Sequence, residues 1–457
     1  GGAGIVGLNG SGRASAGLNA DLLLGQGIDS IAMLSPHAVT VPGAVDAWAR
    51  ILEDHGTWGL DQVLAPAIGF AEDGFAVTPR IGLDWFKNTE KLSATENAAN
   101  AFLRDGKAPV AGDIWRFPEL AQTLKTIAAQ GRDGFYKGPV AEDMVAYLQS
   151  AGATHTLEDF ANAGPNYVDP ISASYGDLEV VELPPNGQGM IALIILNILA
   201  GYDLASMDPV GVERLHLEAE AIRIAFELRD AHLADPTQAE VPVEKLLSSG
   251  FTDELRAGID LKKAGESGGP SKLPAYRDTV YLSVVDKDRN ACSFINSLFF
   301  PFGSGHVAPK SGVIFQNRGC GFVVEPGHPN CVAPNKRPMH TIIPGMALRE
   351  GRVAYCFGVM GGNYQPAGHA HVLTNMVNYG MDPQEALDCP RIFHDGGMLD
   401  VEPGIAPDVM DGLAAMGHKL SMPGAPLGGG QIIGIDWEKG TLAAASEPRK
   451  DGCAIGY

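Results

Sequence analysis

Cysteine is missing from the first 291 residues, and the six that follow (Cys292, Cys320, Cys331, Cys356, Cys389, Cys453) include no Cys-x-x-Cys pair. The commonest thiolate-zinc and dithiol-redox spacings are therefore lacking. Free thiols, mostly buried in apolar runs, are expected, and with them a reducing, cytoplasmic compartment. Basic charge is also scarce: 33 Lys and Arg stand against 54 Asp and Glu, a net charge of −21. So acidic a surface is repelled by nucleic acid and by anionic membranes unless a local basic patch intervenes. No apolar run reaches the roughly 18 residues that a membrane-crossing helix needs. No internal repeat or low-complexity tract is present. The opening Gly1-Gly2-Ala3-Gly4 reads as the middle of a domain, which leaves open a leader upstream and a periplasmic or secreted location.

What the 457 residues do contain is 45% hydrophobic residues, 58 glycines and 31 prolines, the last two scattered through the chain. That is the composition of a large folded protein with many tight turns. Helical spacing of apolar residues predicts helices over 44–54, 60–75, 118–130, 140–152, 190–200 and 211–234. Strands are expected over 175–183, in a hairpin pairing 280–286 with 291–297, and over 313–316, 353–359 and 431–436. Further helices fall near 367–379 and 406–416. Residues 249–274, rich in Lys, Gly, Ser and Glu, read as an exposed loop. Helices, then strands, then helices predict an α+β layered sandwich.

Two patterns suggest chemistry and then lose it. Gly2-Ala3-Gly4-Ile5-Val6-Gly7 is formally a dinucleotide-binding GxGxxG, but no strand precedes it and a second turn follows. His216 and Glu220 are four apart on the long predicted helix and could share a metal, but no third ligand stands at a recognised spacing. A solvated polar face is the simpler expectation for that helix. No cofactor and no metal is expected.

The hairpin is different. Asp278-Thr279-Val280-Tyr281-Leu282-Ser283-Val284-Val285-Asp286-Lys287-Asp288 resembles the self-cleavage junction of the γ-glutamyltransferase family. Val41-Pro42-Gly43, Leu183-Pro184-Pro185, Ala234-Asp235-Pro236, Lys336-Arg337-Pro338 and Glu447-Pro448-Arg449-Lys450-Asp451-Gly452 look like further landmarks of that family, in the family's order. The resemblance implies a four-layer αββα sandwich of the N-terminal-nucleophile hydrolase type. It implies a precursor cut between Asp278 and Thr279 into a large subunit (1–278) and a small one (279–457), intertwined and open to further dimerisation. Thr279 would be the nucleophile. Its freed α-amine, with a pKa of about 7.7–8.0, supplies the base that an internal threonine lacks. Ser297 matches the position of a hydroxyl that supports the nucleophile. Gly361 and Gly362, at the end of a predicted strand, match the oxyanion-hole element, where glycine lets backbone N–H groups approach a substrate.

Departures from the pattern bear on the substrate. The positions that hold the α-amino and α-carboxylate groups of a γ-glutamyl donor look like Phe299, Arg318, Gly321 and His340-Thr341 in this chain. The acidic partner of the substrate ammonium is gone, and a buried ammonium without one is costly. An arginine suits a carboxylate, which it grips with two parallel N–H bonds. Arg13 lies near a family carboxylate-binding arginine, two residues out of register. The expected substrate is thus a small amide that bears a carboxylate and no α-amine. Similarity to oxamate amidohydrolases over Asn317–Phe322 puts oxamate first, with a glutaryl-cephalosporin-type acylase, a γ-glutamyltransferase or glutathione hydrolase, and an uncut non-catalytic binding protein as alternatives.

Overall fold

The computed structural model describes residues 4–266 and 278–457, of Asp278 the backbone alone. The start of the GxGxxG pattern and the segment 267–277, with the end of the predicted exposed loop, lie outside the described residues. The chain divides into two compact units. Unit 1 comprises residues 1–6, 169–297 and 341–457; unit 2 comprises residues 7–168 and 298–340. Each unit draws on sequence from both sides of Thr279.

Unit 1 is built on a six-stranded sheet. Its order is Thr441–Ser446, Gly429–Asp436, Arg352–Met360, Gly345–Arg349, Leu178–Glu182 and Ile171–Tyr175, antiparallel throughout. The central strand Arg352–Met360 fixes what lies on each face, because successive residues of a strand point to opposite sides. Phe357 and Val359 point one way: the Phe357 ring lies 4.8 Å from that of His369, and Gly368 closes on Val359. Both partners belong to the helix Gln365–Tyr379, which packs beside the apolar helix Gly189–Leu199. Cys356 and Gly358 point the other way, onto the hairpin of Asp278–Val285 and Ala291–Phe299. A Cβ on Gly358 would fall 2.4 Å from the Tyr281 ring, so only glycine lets the hairpin settle there. Ser283 donates to the Cys356 carbonyl at 3.1 Å and Ser293 to that of Phe357 at 3.3 Å. Helices, sheet and hairpin are stacked in that sequence.

Unit 2 is mainly helical, with helices at Ala44–His55, Leu60–Asp73, Pro79–Lys87, Pro118–Gln130 and Gly138–Ser150. They close on a core that includes Val45, Leu64, Ile127, Tyr136, Met144 and Leu148, to which the later segment adds Ala308 and Phe315.

The α+β class and most predicted elements hold to within a few residues. Three expectations do not. Residues 313–316 form no strand; Ile314 makes only an isolated bridge to Val307. The predicted loop after Ser248 begins with a helix, Ser249–Ala257, whose first turn the Ser248 hydroxyl caps through the Phe251 N–H. The long helix, Val212–His232, has no solvated face from Arg214 to Phe226: Arg214, His216, Glu218, Glu220 and Arg223 are all buried. Their charges are satisfied internally. Arg214 pairs with Glu218, Glu218 accepts from His371, and Arg223 donates to Glu220. The six thiols are free, as expected, although Cys292 and Cys453 are exposed.

Candidate active site

Thr279 is the second residue of its strand and is 7% exposed. Its Oγ1 lies 3.1 Å from the Oγ of Ser297 on the paired strand. Two contacts set the register of the hairpin against the sheet. Tyr281 covers Gly358, and Ser283 bonds to Cys356, so the two strands run antiparallel. The strand beneath the hairpin, Arg352–Met360, stops one residue before Gly361.

The strand Arg352–Met360 ends there because the backbone turns through two glycines. Gly361 has φ +137° and Gly362 φ +61°, both on the side that L-residues avoid. A short 3-10 turn, Gly362–Tyr364, then leads into the helix Gln365–Tyr379. A Cβ on Gly361 would meet the Gly428 Cα at 2.8 Å. Three side chains hold this corner, none of them singled out by sequence reasoning. Gln188 donates from Nε2 to the carbonyls of Gly362 and Thr341, each at 2.7 Å. The Gln365 Oε1 accepts from the Ile343 N–H at 2.9 Å. Arg229, buried at the end of the long helix, donates to the Asn363 Oδ1 at 3.0 Å. Single glutamines and an arginine on a charged helix carry no spacing signal that would have flagged them.

In unit 2, Phe299 is buried with φ +80°, a backbone region that aromatic residues rarely occupy and that costs about 1–3 kcal/mol. The guanidinium of Arg318 lies over its ring, 4.5 Å from the centroid. Arg318 opens the short 3-10 turn Arg318–Gly321 and is itself buried. Burial, with Arg318 and Arg337 nearby, pushes the His340 imidazole well below its ordinary pKa and keeps it neutral. These groups concentrate positive charge inside a strongly acidic chain. Arg13 is half-buried and donates to the Asn335 carbonyl at 3.0 Å and to the Asn166 side chain at 3.4 Å. Thr341, in unit 1, is buried. Of the predicted site residues, Thr279 and Ser297 meet in unit 1, which also holds Gly361 and Gly362, and Arg318 lies beside Phe299 and His340 in unit 2.

His216 and Glu220 do acquire a third potential metal ligand, His418, distant in sequence. Each already has hydrogen-bond partners. His216 Nδ1 meets His418 Nε2 at 2.8 Å, and its Nε2 meets the Asp260 carbonyl at 2.8 Å. Glu220 accepts from Arg223 and from the Gly265 N–H. No helix among the described residues is long and apolar enough to cross a membrane.

Comparison with known proteins identifies the family and the fold. The model of the gamma-glutamyltranspeptidase family matches residues 3–457. The glutathione hydrolase-like YwrD proenzyme of Bacillus subtilis is 37% identical over 98% of this chain and 86% of its own length. The oxamate amidohydrolase proenzyme of Klebsiella pneumoniae is 34% identical over 92% of this chain and 81% of its own. Among solved structures, a cephalosporin acylase from Bacillus halodurans superposes with a TM-score of 0.92 at 37% identity, covering 99% of this chain and 85% of that one. The chain belongs to the gamma-glutamyltranspeptidase family of self-processing N-terminal-nucleophile amidohydrolases.

Proposed function

We propose that the chain cuts itself between Asp278 and Thr279 and then hydrolyses the amide bond of a small substrate that bears a carboxylate but no α-amine, with oxamate as the first candidate. The support for the nucleophile is the 3.1 Å pair of Thr279 and Ser297 hydroxyls, on a hairpin that packs against the strand leading into Gly361-Gly362. In the first step the Thr279 hydroxyl attacks the carbonyl of Asp278, the acyl group moves from nitrogen to oxygen, and water opens the ester. Large (1–278) and small (279–457) subunits result. In turnover the freed α-amine takes the hydroxyl proton and Thr279 attacks the substrate amide. Backbone N–H groups of Gly361 and Gly362 bear the developing oxyanion, ammonia or an amine leaves, and water hydrolyses the acyl ester. With oxamate the products are oxalate and ammonia.

The choice of substrate rests on charge. Arg318 is assigned to the substrate carboxylate, His340 and Thr341 to neutral hydrogen bonds, Arg13 to a supporting positive charge, and Phe299 to narrowing the pocket. Gly321 stands where a γ-glutamyl enzyme would need an acidic partner for the ammonium. An oxamate amidohydrolase among the relatives fits this reading. The high similarity to a cephalosporin acylase favours a second one, a longer dicarboxylic acyl group such as glutaryl. The test is a panel of ammonia release from oxamate and amine release from glutaryl and γ-glutamyl anilides, with Thr279→Ala as control. Turnover of the substrates lacking an α-amine above that of the γ-glutamyl anilide is expected. The opposite order would make the chain a glutathione hydrolase, and no turnover by a correctly cut protein would withdraw the substrate class.

A further inference from the structure

Gln188 occupies a position where its residue type is a poor local choice. It is the N-cap of the helix Gly189–Leu199, where Ser, Thr, Asp or Asn would accept from the helix's own N–H groups, and its side chain makes no such bond. It is fully buried, and its amide group reaches instead to two backbone carbonyls, those of Thr341 and Gly362, at 2.7 Å each. Because both partners are acceptors, the amide nitrogen must face them and both of its hydrogens are used. A second fully buried glutamine, Gln365, joins the same two segments one step further along through the Ile343 N–H. The stretch 341–343 and the corner 362–365 are thereby laced together by two buried side chains.

We infer that Gln188 is a positioning residue that sets the spacing between Thr341 and the Gly361-Gly362 turn, and through it the length of acyl group that the enzyme accepts. This rests on the functional reading above, in which Thr341 contacts the acyl group and the turn receives the oxyanion. Because the two carbonyls share one nitrogen, neither segment can shift without breaking a bond to the other. A substrate whose two ends must satisfy both segments is then measured against a fixed distance. Acyl chains one methylene too short or too long lose one contact or the other.

The experiment compares Gln188→Met, which keeps the shape and removes both donors, with the wild-type protein. The readouts are kcat/KM for succinyl, glutaryl and adipyl anilides, the mass of the cut fragments, and Tm. In the variant, the best chain length for the wild type should lose at least about tenfold in kcat, and the succinyl-to-glutaryl ratio of kcat/KM should move by more than about threefold. A purely structural glutamine would lower Tm and reduce all three substrates by one common factor, and an unchanged ratio overturns the inference. Should Gln188→Met not fold, Gln188→Asn, with its donors on a shorter arm, is read by the same ratio. If the wild type turns over none of the anilides but releases ammonia from oxamate, the inference falls and the functional reading stands; if it acts on neither, both fall. If it turns them over and the ratio stays fixed, the Gln188 inference alone falls.

Discussion

The hydroxyls of Thr279 and Ser297 lie 3.1 Å apart on paired strands, in a setting where Thr279 is almost wholly screened from water. A buried hydroxyl with a hydroxyl neighbour has its rotamer and its proton direction restricted, which suits a nucleophile that must attack along one line. One neutral hydrogen bond is worth about 0.5–1.5 kcal/mol, or roughly 2–10-fold in rate. Ser297→Ala should therefore slow both self-cleavage and turnover by about that factor. Ser297→Thr, which keeps the hydroxyl, should stay close to the wild type. Fragment build-up with time and kcat check this.

Gly361 cannot be replaced without moving the corner. An alanine there would carry φ +137° and press its Cβ to 2.8 Å from the Gly428 Cα. Loss of an aligned oxyanion donor typically costs about 10²–10³ in kcat. Gly361→Ala should fall by that order while circular dichroism still reports a folded chain, and its Tm should drop.

Arg318 separates binding from chemistry. Replacing it by Gln removes a charged donor worth about 2–3 kcal/mol to a carboxylate, so KM for carboxylate-bearing amides should rise by about 30–150-fold. An acetyl anilide, which has no carboxylate, should lose little. Steady-state kinetics on the two substrates decide it. An equal effect on both would place Arg318 outside the carboxylate site.

Acid should destabilise the fold as its buried neutral histidines are forced to take up protons. Burial pushes the His155 imidazole down to about 4 in the folded protein, against about 6.5 when unfolded. His418 is likewise pushed down to about 4, by burial and then by His216. A folded pKa below the unfolded one means that the unfolded chain binds the proton first. Stability from these groups is therefore complete above pH 6.5 and is lost as pH falls from 6.5 towards 4. For His155 the full loss is about 3 kcal/mol. Urea midpoints measured between pH 7 and 4.5 should fall steadily, and His155→Gln should flatten the slope.

Much of this was legible in the sequence, and the residues show why the rest was not. The hairpin and its threonine are local: alternation and a polar turn are enough to place them, and the two glycines announce the end of the strand before them. The support around them is not local. Gln188 finds its partners more than 150 residues away, and no pattern in its neighbourhood marks it. The long helix misleads for a related reason. Its polar residues imply a wet face, but Glu218 is paired with His371 and His216 with His418, from the far end of the chain. Charge that is neutralised by distant partners looks, in one dimension, like charge that needs water. Val313–Gln316 fails the other way, since a β-branched run becomes a strand only where a sheet edge receives it.

The central claim is that Thr279 becomes an N-terminus by its own chemistry. Intact mass under denaturing conditions measures this most directly. Two fragments that meet between Asp278 and Thr279, and are replaced by one full-length species in Thr279→Ala, are the predicted result. A single uncut mass in the wild-type protein that persists on incubation would contradict the account.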